Sequence, residues 1–263
     1  MPRGAVYAVY IGVEGERVGP AGEPGTMTDY SRQMERQLTR QLATLDLAPD
    51  RPLLICDADE VLFRFIDTFS RYLRGHGFYY DWTTLSLTGN VRRSDDDRTA
   101  GAYEVRRMID DFFSEHTECL PIVEEAPATL AALRDEGVQV VVLSNLPLAQ
   151  HRARTRALEA AGMRYPLVVN SGPKGPTVRA LSERVAHTAA FVDDIPDHHD
   201  SVARHAGHVF RIHFTDNARL RALQRPVTSA HAEANDWREL GGLLRDRLLG
   251  SPGTKSGSGD WPV

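Results

Sequence analysis

Short apolar runs recur along this chain, separated by stretches long enough to form a helix, and this alternation constrains the fold more than any other feature. The first run, Leu53–Cys56, is apolar at every position. Such a run is typical of a parallel strand buried on both faces, because a strand with one solvated face alternates apolar and polar residues. Similar runs follow at residues 138–143, 167–169, 189–192 and 209–214.

Apolar residues at helical spacing occupy the gaps between these runs. They predict amphipathic helices, and glycines at positions 137, 162 and 207 mark the ends of three of them. Strand, helix, strand in regular order forms right-handed crossover units, so we predict an α/β fold with a doubly wound parallel sheet. The helices are predicted at residues 125–136, 148–161, 176–185, 197–206 and 235–248.

The alternation is interrupted once, directly after the first strand. Residues 64–123 contain one helical pattern around Phe69 and another around Phe112, with a polar loop at residues 89–98 between them. We predict a small helical cap that is inserted into the main domain at this point. The predicted domain bounds are 64–123 for the cap, and 27–63 with 124–250 for the core.

The two ends of the chain differ in composition from the rest. Residues 1–26 are rich in glycine and proline, so we predict a flexible extension, or a start placed upstream of a true initiator at Met27. Residues 251–263 are predicted to be a disordered tail. A helix with Thr28 or Asp29 as its N-cap is predicted after the extension, from the spacing of Tyr30, Met34, Leu38, Leu42 and Leu45.

Charge and cysteine usage exclude several classes of protein. The net charge of -5 leaves no basic footprint, so we predict no nucleic-acid partner. No apolar run approaches the 18 or so residues that a membrane span needs, so no membrane partner is expected either. The two cysteines cannot form a disulfide framework, which favours a cytoplasmic location, and Cys56 is interpreted as a small core residue. The sequence leaves the oligomeric state open.

Acidic, hydroxyl and cationic residues stand where the predicted strands end. Ligands of an open α/β sheet bind at the carboxyl ends of its strands, so these side chains are candidates for one site. A carboxylate can attack phosphorus, Mg²⁺ can lie between the two anions, and a hydroxyl and an ammonium can hold phosphoryl oxygens. The candidates are Asp57, Asp59, Ser144, Asn145, Lys174, Asp193, Asp194 and, less directly, Asp197.

Lys174 stands out by composition. Its only companion lysine is Lys255 in the predicted tail, and arginine supplies all the other basic side chains. An isolated lysine is most often a solvated loop residue. Here a compact ammonium appears where a phosphoryl site needs one, which favours a functional role.

Four short segments resemble the signature motifs of the haloacid dehalogenase (HAD) superfamily, in that family's order. They are DADEV from Asp57, LSN ending at Asn145, KG at Lys174, and FVDDIPD from Phe191. The resemblance covers roughly residues 50–215 and implies a Rossmannoid core with a helical cap of the family's first cap class. It implies the nucleophile Asp57, the general acid/base Asp59, the phosphate-binding residues Ser144, Asn145 and Lys174, and the Mg²⁺ ligands Asp57, Asp59 (through its carbonyl), Asp194 and Asp193.

The resemblance predicts a Mg²⁺-dependent phosphohydrolase that acts on a small phosphorylated metabolite through an aspartyl-phosphate. A phosphomutase and a catalytically silent HAD-like binding domain are the alternatives. A two-component receiver domain places its acidic pair on the first strand, whereas the acidic pair here comes last. The last motif also leaves two pairings open, Asp193 with Asp194 or Asp193 with Asp197.

Several further polar and aromatic residues have two interpretations. His198 and His199 could join a transition-metal site but are predicted to be exposed residues at a helix start. Arg92 and Arg93 could meet a charged leaving group or belong to a solvated cap loop. An aromatic group is predicted to be cap core rather than a substrate-stacking surface, and it comprises Phe78, Tyr79, Tyr80 and Trp82.

Overall fold

The computed structural model describes residues 26–250, with side chains from residue 35 onward. The predictions for the N-terminal extension and the C-terminal tail lie outside the described residues, as do those for the side chains of Tyr30 and Met34. Within the described range, no helix is both long and apolar enough to cross a membrane.

Six strands form one parallel sheet in the order β5-β4-β1-β6-β7-β8. The first five are the strands that the apolar runs predict, and no strand end differs from its prediction by more than one residue. β8 was missed because its sequence Ala-Glu-Ala, unlike the equally short Leu-Val-Val of β5, contains no run of large apolar residues. The strands are β1 (Leu53–Cys56), β4 (Gln139–Ser144), β5 (Leu167–Val169), β6 (Ala189–Asp193), β7 (Phe210–Phe214) and β8 (Ala232–Ala234).

Both faces of the sheet are buried, which explains the uninterrupted apolar runs. Along β1, Leu54 and Cys56 point into one hydrophobic cluster, and Leu53 and Ile55 point into a second cluster on the opposite face. Cys56 is wholly buried, as predicted. The helices that cover the first face are α4 (Ala126–Asp135) and α9 (Trp237–Leu248); those on the second are α1 (Thr26–Ala43), α6 (Gly175–Ser182) and α7 (Pro196–His205).

The predicted helices are confirmed with small changes at their ends. α1 already begins at Thr26, so Thr28 and Asp29 lie inside the helix and the predicted cap is wrong. The segment predicted at 148–161 divides into a single 3₁₀ turn, Leu148–Gln150, and helix α5, His151–Ala160. A short helix that the sequence analysis did not predict, α8 (Ala218–Leu223), follows β7.

The segment between β1 and β4 holds two helices and a small antiparallel sheet. Strands β2 (Phe78–Tyr80) and β3 (Val91–Arg93) pair with each other, so the prediction of a continuous polar loop at 89–98 is wrong. The helices α2 (Ile66–Gly75) and α3 (Ala102–His116) pack through aromatic residues. Tyr80 is buried, and Phe78 and Trp82 pack against the same cluster, which confirms them as core residues.

Gly175 begins α6 directly after Lys174 and brings α6 against α7. Its amide donates to the Ser201 hydroxyl at 3.1 Å. A Cβ at position 175 would lie 2.5 Å from that hydroxyl and closer still to the Ser201 carbonyl oxygen. The glycine is therefore required by the close approach of two backbones, which also fixes the position of the preceding lysine.

We expect Gly175→Ala to lower the free energy of unfolding by about 1–3 kcal/mol, because the added methyl group has no space. The matched control is Gly242→Ala in α9, where nothing lies within 4 Å of the added Cβ. That change should raise stability by about 0.5–1 kcal/mol, the usual gain from replacing a helical glycine. Urea unfolding of both variants measures the difference, and equal effects would contradict this account of Gly175.

Candidate active site at the carboxyl ends of the strands

The strand register brings the predicted acids together. Cys56 of β1 is paired with Val192 of β6, and the amide of Asp57 donates to the Val192 carbonyl at 2.9 Å. Asp57 and Asp193 therefore leave neighbouring strands side by side. β1 lies where the strand order turns from β4 and β5 to β6, β7 and β8, which is the position where open α/β sheets bind ligands.

Lys174 lies between two of these acids and is wholly buried. Its Nζ is 2.5 Å from Oδ1 of Asp57 and 2.7 Å from Oδ2 of Asp193. Burial lowers the pKa of a lysine, but the charges of Asp193 and Asp57 outweigh it and raise the pKa of Lys174 above its usual range. The ammonium is therefore a fixed positive charge at the centre of the site.

The loop before α6 holds Lys174 in place through side-chain amides. The Gly172 carbonyl accepts from Nδ2 of Asn145 at 2.9 Å and from Nδ2 of Asn170 at 3.0 Å. Asn170 in turn accepts from the Thr177 hydroxyl at 2.7 Å. Gly172 has a φ of +79°, which favours glycine at this turn. Asn145, predicted as a phosphate binder, is engaged here as a brace for the lysine loop.

The two acids at the end of β6 have different surroundings. Both carboxylate oxygens of Asp193 are occupied by donors, since Oδ1 accepts from the Ile195 amide at 2.9 Å and Oδ2 from Lys174. Burial acts to raise the pKa of Asp193, but the contacts of His198 and Lys174 outweigh it and hold the pKa below its usual range. At Asp194, burial and the charges of Asp193 and Asp57 raise the pKa well above its usual range.

The nucleophile candidate Asp57 is also buried. Burial raises its pKa to about 7, assisted by Asp193 and Asp59 and opposed by Lys174. One ligand oxygen each from Asp57, Asp193 and Asp194 lie within 4.8 Å of one another. Three buried oxygen ligands, two of which hold protons more tightly than usual, fit a small divalent cation such as Mg²⁺, because the cation would offset the burial and the repulsion that raise these pKa values.

Asp59 has a partner that the sequence analysis missed. Its Oδ1 accepts from Nη2 of Arg154 at 2.7 Å, and its Oδ2 accepts from the Ser144 hydroxyl at 3.4 Å. Arg154 and Ser144 are both wholly buried. Arginine is so frequent in this chain that nothing in composition or spacing distinguishes Arg154, whereas the isolated Lys174 is conspicuous.

The prediction that His198 and His199 are exposed is wrong. His198 is buried, and its Nδ1 lies 3.0 Å from Oδ1 of Asp193. His199 is wholly buried, its Nε2 lies 3.0 Å from the Asp193 carbonyl oxygen, and burial lowers its pKa to about 4. The helix α7 turns these residues back toward the end of β6. Among the described residues, the candidate metal ligands that lie within 4.8 Å of one another include neither histidine. Both histidines contact Asp193 and help to hold it in place.

Three further candidates lie apart from this cluster. Asp197 is exposed and forms an ion pair with Arg225 at 3.1 Å, so the acidic pair that the structure brings together is Asp193 with Asp194. Arg92 and Arg93 pair with acids of the inserted segment. Their contacts are Asp81 at 2.9 Å and Glu104 at 2.6 Å.

We expect Lys174→Met to lower the free energy of unfolding by about 3–5 kcal/mol, because it leaves Asp57 and Asp193 buried without their shared cation. Arg179→Met is the matched control, since Arg179 forms an exposed ion pair with Glu183. Its loss should cost under about 1 kcal/mol. Denaturant unfolding without divalent cations measures both, and a small effect at Lys174 would contradict the central role of its charge.

Mg²⁺ affinity is expected to rise with pH between 6 and 8. The raised pKa values of Asp57 (about 7) and Asp194 mean that the cation-free protein holds protons that the cation must displace. Below pH 7 the dissociation constant should change by about tenfold per pH unit for each proton released. Calorimetry in buffers of different ionisation enthalpy counts those protons. A dissociation constant independent of pH over this range would contradict the assignment.

No protein-family model matches this chain, and no curated protein matches it in sequence. Many solved structures are similar in fold, including two with a TM-score of 0.54. One is a HAD family hydrolase from Deinococcus radiodurans R1, solved with bound phosphate and sodium, at 17% identity and a TM-score of 0.54 over 78% of this chain and 100% of that one. The other is a phosphonoacetaldehyde hydrolase-like protein from Oleispira antarctica, at 13% identity and a TM-score of 0.54 over 81% and 99%.

These likenesses cover nearly the whole length of both relatives. The sequence motifs predicted this fold, and the six-stranded parallel sheet with helices on both faces confirms it. The chain therefore has the fold of the HAD hydrolases.

Proposed function

We propose that this protein is a Mg²⁺-dependent phosphohydrolase that acts on a small phosphorylated molecule. The observation that carries the proposal is the buried lysine bridge, in which Nζ of Lys174 lies 2.5 Å from Asp57 and 2.7 Å from Asp193 at the ends of adjacent strands. A purely structural site has no need to bury three carboxylates within 4.8 Å of one another, because such a cluster opposes folding.

In the first half of the reaction, a carboxylate oxygen of Asp57 attacks phosphorus. The bond from phosphorus to the ester oxygen breaks, and Asp59 supplies the proton that the departing oxygen takes up. Lys174 and the Ser144 hydroxyl hold phosphoryl oxygens as charge develops on them. The product of this half is an aspartyl-phosphate on Asp57 and a free alcohol.

In the second half, water attacks the phosphorus of the aspartyl-phosphate. Asp59 now accepts the proton from that water, and the bond from phosphorus to the Asp57 oxygen breaks, which returns the carboxylate and releases inorganic phosphate. One acid thus serves both halves, as a donor and then as an acceptor. The buried position of Asp59, at 6% exposure, keeps bulk water from exchanging its proton freely.

Asp57, Asp194 and the Asp59 carbonyl are the residues we assign to Mg²⁺, with Asp193 behind them. Asp193 is assigned to the outer position because Lys174, His198 and the Ile195 amide already occupy its oxygens. When bound, the cation would screen the repulsion between the nucleophile and the phosphoryl group.

The inserted segment is proposed to act as a cap over this site. Its two connections to the sheet domain run side by side, since the Arg64 amide donates to the Pro121 carbonyl at 2.8 Å and the Val123 amide to the Leu62 carbonyl at 2.9 Å. A paired connection of this kind lets the segment move as one body and exclude water from the site. Substrate choice would then depend on side chains of the insert, among which Arg92 and Arg93 remain candidates.

The relatives support a phosphorylated substrate, because the Deinococcus radiodurans hydrolase holds phosphate. A phosphomutase would use the same residues, and a catalytically silent binding domain would retain the fold. Measuring phosphate release separates both from a phosphohydrolase. The cytoplasmic location remains a prediction, consistent with the two free cysteines among the described residues.

We expect the purified protein to release phosphate from p-nitrophenyl phosphate with Mg²⁺, and Asp57→Asn to reduce kcat by at least about 10³-fold because the nucleophile is lost. The matched control is Asp197→Asn, an identical change at the exposed acid outside the cluster. It should retain kcat within about twofold, in line with a surface position.

Chelation of Mg²⁺ should abolish the activity and its return should restore it. Activity retained in Asp57→Asn would exclude the aspartyl-phosphate mechanism. An absence of turnover across a broad panel of phosphorylated metabolites, together with no Mg²⁺ binding by calorimetry, would contradict the proposal that the protein is an enzyme.

A further inference from the structure

Arg154 is an unusual residue to find inside a domain of this size. It lies in the first turn of α5, one strand end away from Asp57, and its side chain is 0% exposed. A buried guanidinium is unfavourable unless its donors are paired. Among the residues that the structure describes, Nε and Nη1 of Arg154 have no hydrogen-bond partner. A contribution to the stability of the fold therefore does not explain why an arginine occupies this position.

Within residues 26–250, the one ion pair that Arg154 makes is with the proposed acid/base. Its Nη2 donates to Oδ1 of Asp59 at 2.7 Å, and its guanidinium carbon lies 4.7 Å from the centre of the Phe63 ring. Phe63 closes the same turn that carries Asp59. The cation–π contact with that ring holds the guanidinium beside the turn, within reach of Asp59.

The turn itself is tightly constrained. The amides of Leu62 and Phe63 both donate to the Ala58 carbonyl, at 2.8 and 2.9 Å, and the Glu60 amide donates to the Phe63 carbonyl at 2.7 Å. Glu60 has a φ of +62°, which is uncommon for a residue with a side chain. The backbone of Asp59 is therefore held firmly, and the remaining freedom is the rotation of its carboxylate. Arg154 removes that freedom.

We infer that Arg154 is a positioning residue for Asp59: it anchors Oδ1 and leaves Oδ2, on the Ser144 side, as the oxygen that transfers protons. The inference rests on the proposed function and deepens it. In the first half of the reaction Oδ2 gives its proton to the departing ester oxygen. In the second half Oδ2 takes a proton from the attacking water. Arg154 exchanges no proton and touches no substrate atom in either half.

Two substrates distinguish effects on the first half of the reaction from effects on the second half. The p-nitrophenolate ion leaves readily without a proton, so formation of the aspartyl-phosphate from p-nitrophenyl phosphate depends little on Asp59. Its hydrolysis still needs Asp59 as the proton acceptor. Phenyl phosphate has a poorer leaving group and needs Asp59 in both halves. A residue that acts through Asp59 therefore affects the two esters differently, whereas a residue that only supports the fold affects them alike.

The test compares wild type, Arg154→Met, Arg154→Lys, Asp59→Asn and the double variant of Arg154→Met with Asp59→Asn. Arg156→Met is the matched control, since Arg156 lies on the same helix and forms an exposed ion pair with Glu118. The double variant also guards against misfolding, because it removes both partners of the buried pair and leaves neither charge alone.

For p-nitrophenyl phosphate we expect Arg154→Met to lower kcat by about 10²-fold, within the range of general acid–base effects. The KM should fall in parallel, so that kcat/KM changes by less than about threefold. A burst of one equivalent of p-nitrophenolate per active site should appear, because the aspartyl-phosphate accumulates. For phenyl phosphate, kcat/KM should fall by at least about tenfold.

Arg154→Lys should recover part of the lost kcat, and Arg154→Met should add nothing further on the Asp59→Asn background. An equal fall in kcat/KM for both esters, or additive effects of Arg154→Met and Asp59→Asn, would overturn the positioning role while leaving the phosphohydrolase intact. No turnover in wild type, or turnover that survives Asp57→Asn, would instead overturn the proposed function and the positioning role with it.

Discussion

The ion bridge of Lys174 between Asp57 and Asp193 is the interaction on which the rest of the site depends. Its donor and acceptors come from three separate parts of the chain, the ends of β1 and β6 and the start of α6. Each part is placed by a different feature: strand register, the turn at Gly172, and the close approach at Gly175. An error in any of these three features would separate charges that are costly to bury alone. The bridge therefore depends on the correct assembly of the carboxyl end of the sheet.

Two groups of supporting residues contact the acids near this bridge. Lys174, His198 and the Ile195 amide surround Asp193 and fix it from behind. Arg154 fixes Asp59 from the opposite side of β1. These supporting residues contact Asp193, which lies behind the proposed cation site, and Asp59, which we assign to proton transfer. The raised pKa values belong to Asp194, assigned to the cation, and to the nucleophile Asp57. Such supporting contacts are what a preorganised site requires, because they hold the reacting acids in place before a ligand binds.

The sequence predicts the parts of this arrangement that follow from local pattern. The central strands were found because apolar runs such as Leu53–Cys56 have a clear signature, and Asp57, Ser144, Lys174 and Asp193 were found because strand ends meet at one edge. The short strands β3 and β8 contain charged residues in place of an apolar run and were missed. The roles of Arg154 and His198 arise from helices folding back onto the sheet. Nothing in the neighbouring sequence marks those contacts, and two adjacent histidines at a helix start resemble a solvated surface until tertiary packing covers them.

Charge balance indicates what a bound cation would contribute to the proposed reaction. Four buried carboxylates, Asp57, Asp59, Asp193 and Asp194, face two permanent buried cations, Lys174 and Arg154. When all four acids are ionised, two negative charges stay uncompensated, and an incoming phosphoryl dianion would be repelled. Burial, assisted by the charges of Asp193 and Asp59, raises the pKa of Asp57, and a protonated Asp57 is no nucleophile. A divalent cation held by Asp57 and Asp194 would offset the excess negative charge without protonating the nucleophile. Under the proposed function, these residues would hold the cation so that the attacking carboxylate is ionised and the approach of a phosphate is favourable.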